Sequence, residues 1–134
     1  MKHFLTLGIL FFTAVWLCGA PQKLNGEESA KQYSQQLCRA FFVGKYEPFK
    51  AMLPESLHAK YNPVLYQISL EEQNKKGPSM LPMHYLGSLR RPGARTLLWK
   101  VEYQSKTGEL LDRLASTSFS VKDGLWTLTG FSFI

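Results

Sequence analysis

The sequence predicts an α+β fold in which N-terminal helices pack on a curved antiparallel sheet of about four strands. Apolar residues recur at helical spacing from about residue 27 to residue 76, and alternation at period two takes over from Leu81. Pro-Gly and Asp-Gly turn signals punctuate the second half. Helices followed by a strand meander indicate a segregated α+β arrangement rather than alternating βαβ units.

The first helix is expected from Asn25, which can cap it while Glu28 reaches back to the cap amide. Ala30, Tyr33, Leu37, Ala40 and Phe41 then mark one face, and Gly44 ends it. Pro48 opens a short helix carrying Phe49, Met52 and Leu53, and Pro54 opens another with Leu57 and Tyr61. Asn62-Pro63 restarts the helix, with Val64, Leu65 and Ile68 as its expected apolar face. Residues 71–76 read as a solvated polar end before the Gly77-Pro78 break.

The first strand is expected to place Met83, Tyr85 and Leu89 on one face and His84 and Ser88 on the other. Arg91-Pro92-Gly93 turns the chain into a second strand with Leu97, Trp99, Val101 and Tyr103 opposite Lys100 and Glu102. Lys106-Thr107-Gly108 leads to a third, whose inner parity holds Leu111, Arg113, Ala115, Thr117, Phe119 and Val121. After the Asp123-Gly124 turn the last strand carries Trp126 and Leu128 on one face and Phe131 and Phe133 on the other.

Ahead of all this, Lys2 precedes an apolar run from Phe4 to Cys18 closed by Gly19 and Ala20, the pattern of an export signal over residues 1–20. Pro21 opposes cleavage just before it, which leaves two outcomes: release of the mature chain, or an uncleaved anchor at the short end of the roughly 17–25 residues a spanning helix needs. Lipid modification of Cys18 is a third route, but Leu17 stands where such a signal wants glycine or alanine. Either main outcome exports the rest to a periplasmic or secreted location. Residues 21–26 read as a linker and residues 27–134 as one domain, a length that buries a modest single core.

The formal charge is +6, and it falls to +5 without the leader, which contains Lys2 and no acid. Such mild basicity suits acidic partners or anionic surfaces, and in an exported chain it does not indicate nucleic acid. Membrane contact is expected only if the leader is retained, and a homodimer is compatible with the sequence. Cys18 falls in the leader, so Cys38 stands alone among apolar neighbours and reads as a buried inert thiol. There is no CxxC or HxxxH spacing, so no metal and no cofactor is expected.

Ala40-Phe41-Phe42-Val43-Gly44-Lys45-Tyr46, the Pro-containing helical middle, and the ending from Phe119 to Leu128 followed by Gly130-Phe131 resemble the nuclear transport factor 2-like superfamily of cone-shaped domains. The likeness covers about residues 27 to 134 and extends to bacterial exported members of unknown function. It implies a cone whose open end can hold a small molecule, in a superfamily that includes isomerases, dehydratases, epoxide hydrolases and non-catalytic members. Its enzymes place carboxylates or a His–Asp pair inside the cone; the ketosteroid isomerases use an aspartate base, a tyrosine and a protonated aspartate in an apolar pocket.

This chain departs from that pattern. Asp123 falls in a turn, while Asp112 and Glu102 lie on the outer parity of their strands, as does His84. His84 and Asp112 are thus the nearest candidates for acid/base chemistry, and no catalytic residue is assigned. Tyrosine suits a pocket wall, because its ring is apolar and its hydroxyl can bond a ligand. Tyr66, Tyr85 and Trp99 are the candidate ligand-binding aromatics, with core packing as the default alternative. Arg113 is the only charge on the inner face. It either anchors an anionic head group or reaches a carboxylate, a helix C-terminus or the rim. Arg90, Arg91 and Arg95 cluster at a hairpin tip, as an anion site or a solvated turn.

The expected function is a non-catalytic exported domain that binds a small apolar or anionic ligand, or a protein partner, through its cone. A small acid/base enzyme and a membrane-anchored component of an envelope assembly are the alternatives. Intact-mass analysis of exported protein distinguishes release from anchoring: release predicts loss of about the first twenty residues, whereas the full mass in the membrane fraction means the leader is kept.

Overall fold

A computed structural model describes residues 23–134. The leader expected over residues 1–20 lies outside the described residues. Strand β1 (Lys23–Asn25) comes first, then helix α1 (Glu27–Val43), helix α2 (Tyr46–Ala51), a 3-10 turn (Glu55–Leu57) and helix α3 (Pro63–Lys76). The meander follows as β2 (Ser79–Arg91), β3 (Ala94–Gln104), β4 (Leu110–Lys122) and β5 (Leu125–Phe133). All neighbours pair antiparallel in the order β1-β5-β4-β3-β2. The fold is α+β, with helices packed against a curled five-stranded half-barrel.

Five strands replace the expected four because Lys23–Asn25, read from sequence as linker, pairs with Leu125–Thr127. This also moves the start of α1. Asn25 is in the ladder opposite Leu125, and Gly26, at φ 97°, takes the cap position instead. Gly44 closes α1 in the left-handed conformation, at φ 87°.

Helix α1 lies on the sheet through Ala30, Tyr33, Leu37, Cys38 and Phe41. Two polar contacts fix its position. Ser34 Oγ lies 2.8 Å from Thr117 Oγ1, which also accepts a 3.0 Å bond from Trp99 Nε1, so helix, β4 and β3 share one fully buried junction. At the sheet's edge the Gln35 amide donates to Met83 O at 2.7 Å and accepts from Met83 N at 3.0 Å. Buried polar groups are costly without partners, and these bonds satisfy them.

An aromatic cluster fills the space under α2 and α3. Phe41 meets Phe49, Tyr66 and Phe131 with centroids 5.5 to 5.7 Å apart, and Phe49 stacks on Tyr66 at 4.9 Å. Burying each such side chain contributes about 1.5–3 kcal/mol. Phe131 belongs to this core together with Trp126 and Leu128, contrary to strict alternation. The reason is a bulge: Ser118 pairs with Gly130 and Phe119 with Leu128, so Thr129 is an extra residue that resets the parity of β5. A second bulge at Leu86 turns Leu89 outward, away from the expected face it was to share with Met83.

Tyr61 secures the far end of β5. Its hydroxyl donates to Phe131 O at 2.5 Å and accepts from Phe131 N at 2.8 Å, satisfying backbone groups that β4 cannot reach.

Thr117→Val keeps the shape of the buried junction and removes its acceptor, leaving Trp99 Nε1–H unpaired. Chemical denaturation should show a loss of about 1–3 kcal/mol, read as a lower midpoint at unchanged slope.

Candidate binding site

Helix α3 is amphipathic in a way its sequence does not advertise. Asn62 Oδ1 caps it by accepting from Leu65 N at 3.0 Å, and Pro63 takes the first position. From there Tyr66, Leu70 and Gln73 fall on the buried side. Val64, Leu65 and Ile68, expected to face the core, are instead 67, 45 and 50 % exposed. The phase is set by contacts from both layers: Phe41 of α1 and Phe49 of α2 pack on Tyr66, and Arg113 of β4 captures Gln73.

The exposed apolar side borders an open groove of about 570 Å³. Gly44 and Tyr46 line it together with Pro63, Val64, Tyr66 and Ile68, while Gln67 and Glu71, bonded to each other at 3.2 Å, supply its polar part. Tyr66 is held in place by a 2.7 Å bond from its hydroxyl to Phe41 O, and its ring lies 5.7 Å from that of Tyr46. Burial raises the pKa of Tyr66, with the Gly44 amide opposing, so the hydroxyl is a neutral donor.

The four ligand residues expected from sequence do not meet in one place. Tyr66 lines the groove. Tyr85 and Trp99 form an edge-to-face pair at 5.4 Å beside α1, with Lys31 Nζ 4.0 Å above the Tyr85 ring. Trp99 itself is 1 % exposed, so its ring is core. Arg113 is buried at the C-terminal end of α3. Its Nη1 donates to Gln73 O at 3.1 Å and to Gln73 Oε1, and its Nη2 to Ser79 Oγ at 2.9 Å and Gly77 O at 3.3 Å. The guanidinium also lies 4.6 Å from the Tyr103 ring centroid. These protein acceptors occupy both terminal nitrogens. Burial lowers the Arg113 pKa, yet an arginine keeps its charge, and the helix C-terminus favours a cation. Gln73, read from sequence as part of a solvated tail, is buried because it completes this cluster.

His84 and Asp112, the nearest acid/base candidates, are exposed. His84 Nε2 lies 3.0 Å from Glu102 Oε1 in a partly solvated pair. Cys38 is completely buried, and desolvation pushes its thiol up to about 12, so it is not a nucleophile in this fold. Among the described residues no group of His, Cys, Asp or Glu could hold a metal ion, and no helix is long and apolar enough to cross a membrane.

No family model matches the chain, and no curated protein matches it. Among solved structures it is similar to a designed nuclear transport factor 2-like protein, at 11 % identity and a TM-score of 0.52, over 80 % of this chain and 97 % of that one. It is also similar to the solution structure of a SEC-C motif-containing protein from Rhodopseudomonas palustris, at 12 % identity and a TM-score of 0.46, over 71 % of this chain and 70 % of that one. The first likeness shows a nuclear transport factor 2-like fold.

Sequence reasoning missed the groove because it assigned Val64, Leu65 and Ile68 to the core. A signal was present: Tyr66 and Leu70, four residues apart, form a second apolar stripe on the same helix, and only one stripe can be buried.

Arg113→Leu removes the charge and strands the acceptors around it. Urea denaturation should show a loss of about 2–4 kcal/mol, and Arg113→Lys should recover only part of it, since an ammonium cannot reproduce the fork.

Proposed function

We propose that the chain is an exported, non-catalytic binding domain whose binding surface is the apolar groove along α3. The observation that carries this reading is the exposure of Val64, Leu65 and Ile68 beside a concave surface floored by aromatic side chains. A contiguous apolar patch on a soluble domain marks an interaction site more often than an idle surface. The groove is open rather than enclosed, which suits an apolar ligand or the apolar side chains of a protein partner.

The inside of the cone supports the same choice. Trp99, Phe49 and Phe119 occupy it as fully buried side chains. The acid/base alternative lacks support in its own candidates, since His84 and Asp112 are solvated on the outer face. Export, to a periplasmic or secreted location, rests on the apolar leader with its small-residue ending.

The test is binding of an apolar fluorescent probe, anilinonaphthalene sulfonate, to the native full chain. Val64→Glu and Ile68→Glu place charges in the groove at exposed positions, where substitutions usually alter stability by less than about 0.5 kcal/mol. The wild type should bind saturably, and each variant should lose most of the affinity while keeping its melting temperature. A wild type that does not bind, or variants that bind as well as it does, would refute the groove as the site.

A further inference from the structure

We infer that the end of the sheet bearing the β2–β3 and β4–β5 turns is a docking surface for anionic lipid headgroups. A 2.9 Å bond from Val121 N to Gly93 O ties these two turns together, and β1 lies alongside, with Asn25 opposite Leu125. Lys23, Arg90, Arg91, Arg95 and Lys122 therefore share one end of the domain, where Asp123 sits in the turn and Glu27 and Glu28 open α1, Glu28 being paired with Lys31. The opposite end, where Gly77 abuts Gln104, mixes Lys75, Lys76 and Lys106 with Glu71, Glu72 and Glu109.

The arginines are arranged at a cost. Arg90 stands directly across the ladder from Arg95, and like charges so placed repel. Arg95 is held there by bonds from Nη1 to Arg91 O at 3.0 Å and Ala94 O at 2.7 Å. Among the described residues no carboxylate bridges any of the three; the ion pairs are Lys31 with Glu28 and His84 with Glu102. An anion supplied from outside would relieve the repulsion, and guanidinium matches phosphate oxygens well. Leu89 and Leu125 are exposed beside these charges, as suits side chains that enter the interfacial layer.

The choice of a membrane over another polyanion comes from the chain ahead of the domain. The apolar run ends at Cys18, and from there to Lys23 the backbone spans at most about 18 Å fully extended. With the leader embedded in a bilayer, β1 and the turns beside it are held within reach of the headgroups. This inference is independent of the α3 groove, which lies by Gly44 at the other end of α1.

The test is flotation of the full chain with phosphatidylcholine vesicles, with and without about a third phosphatidylglycerol. The readout is the ratio of the two partition coefficients, in which the leader's apolar contribution cancels, while the contribution of Lys2 is common to all variants and cancels when they are compared with the wild type. Each basic side chain at an anionic surface contributes about fivefold, so Arg90→Gln with Arg91→Gln should lower the ratio by about 25-fold. The charge-matched pair Lys75→Gln with Lys76→Gln should leave it within about twofold, and about 0.5 M salt should abolish the wild-type preference. Equal partition of the wild type between the two vesicles, an equal loss in both double variants, or a preference that survives the salt would overturn the proposal. So would retention on a soluble acidic polymer without any preference for phosphatidylglycerol.

Discussion

A buried guanidinium with no carboxylate partner holds the last helix of this domain to its sheet. Arg113 reaches from the middle of the sheet to the last carbonyls of α3 and to Ser79 at the start of β2, so one side chain joins three elements. The desolvation of the charge is offset by its carbonyl acceptors, the helix dipole and the Tyr103 ring. The approach is tight: a Cβ on Gly77 would fall 1.8 Å from Gln104 O, so glycine alone fits where α3 meets the end of β3.

That anchorage sets the phase of α3 and thereby creates the groove. With Gln73 drawn to Arg113 and Tyr66 drawn to Phe41 and Phe49, the helix cannot also turn Val64, Leu65 and Ile68 inward. The candidate binding surface is thus a by-product of how a charge deep in the core is held, with both terminal nitrogens of Arg113 bonded and its Nε without a partner. Core and site are coupled here through the rotation of a single helix.

Much of the fold was legible in the sequence. The turns at Pro92-Gly93 and Asp123-Gly124, the helix restart at Asn62-Pro63 and the stop at Gly44 needed only local chemistry, and the inner faces of β3 and β4 followed from alternation. What escaped were features that depend on partners distant in the chain. The bulges at Leu86 and Thr129 are invisible to a period-two reading, so Leu89, Phe131 and their neighbours were placed on the wrong faces. The pairing of Lys23–Asn25 depends on the free edge of β5, and the burial of Gln73 depends on an arginine forty residues later. For the site, Tyr66 was foreseen as a candidate while Tyr46, Val64 and Ile68 were not, because helix periodicity alone cannot say which of two stripes the sheet will take.

The hydroxyl of Tyr61 has a meaning beyond local hydrogen bonding. Among the described residues β1 pairs no further along β5 than Thr127, and without Tyr61 the Phe131 N–H and C=O would be open to a passing extended segment. A tyrosine that fills both roles at once takes this pair of backbone groups away from a foreign strand. Strand addition through Phe131 is therefore closed off, since its two backbone groups are already held by a side chain of the same molecule.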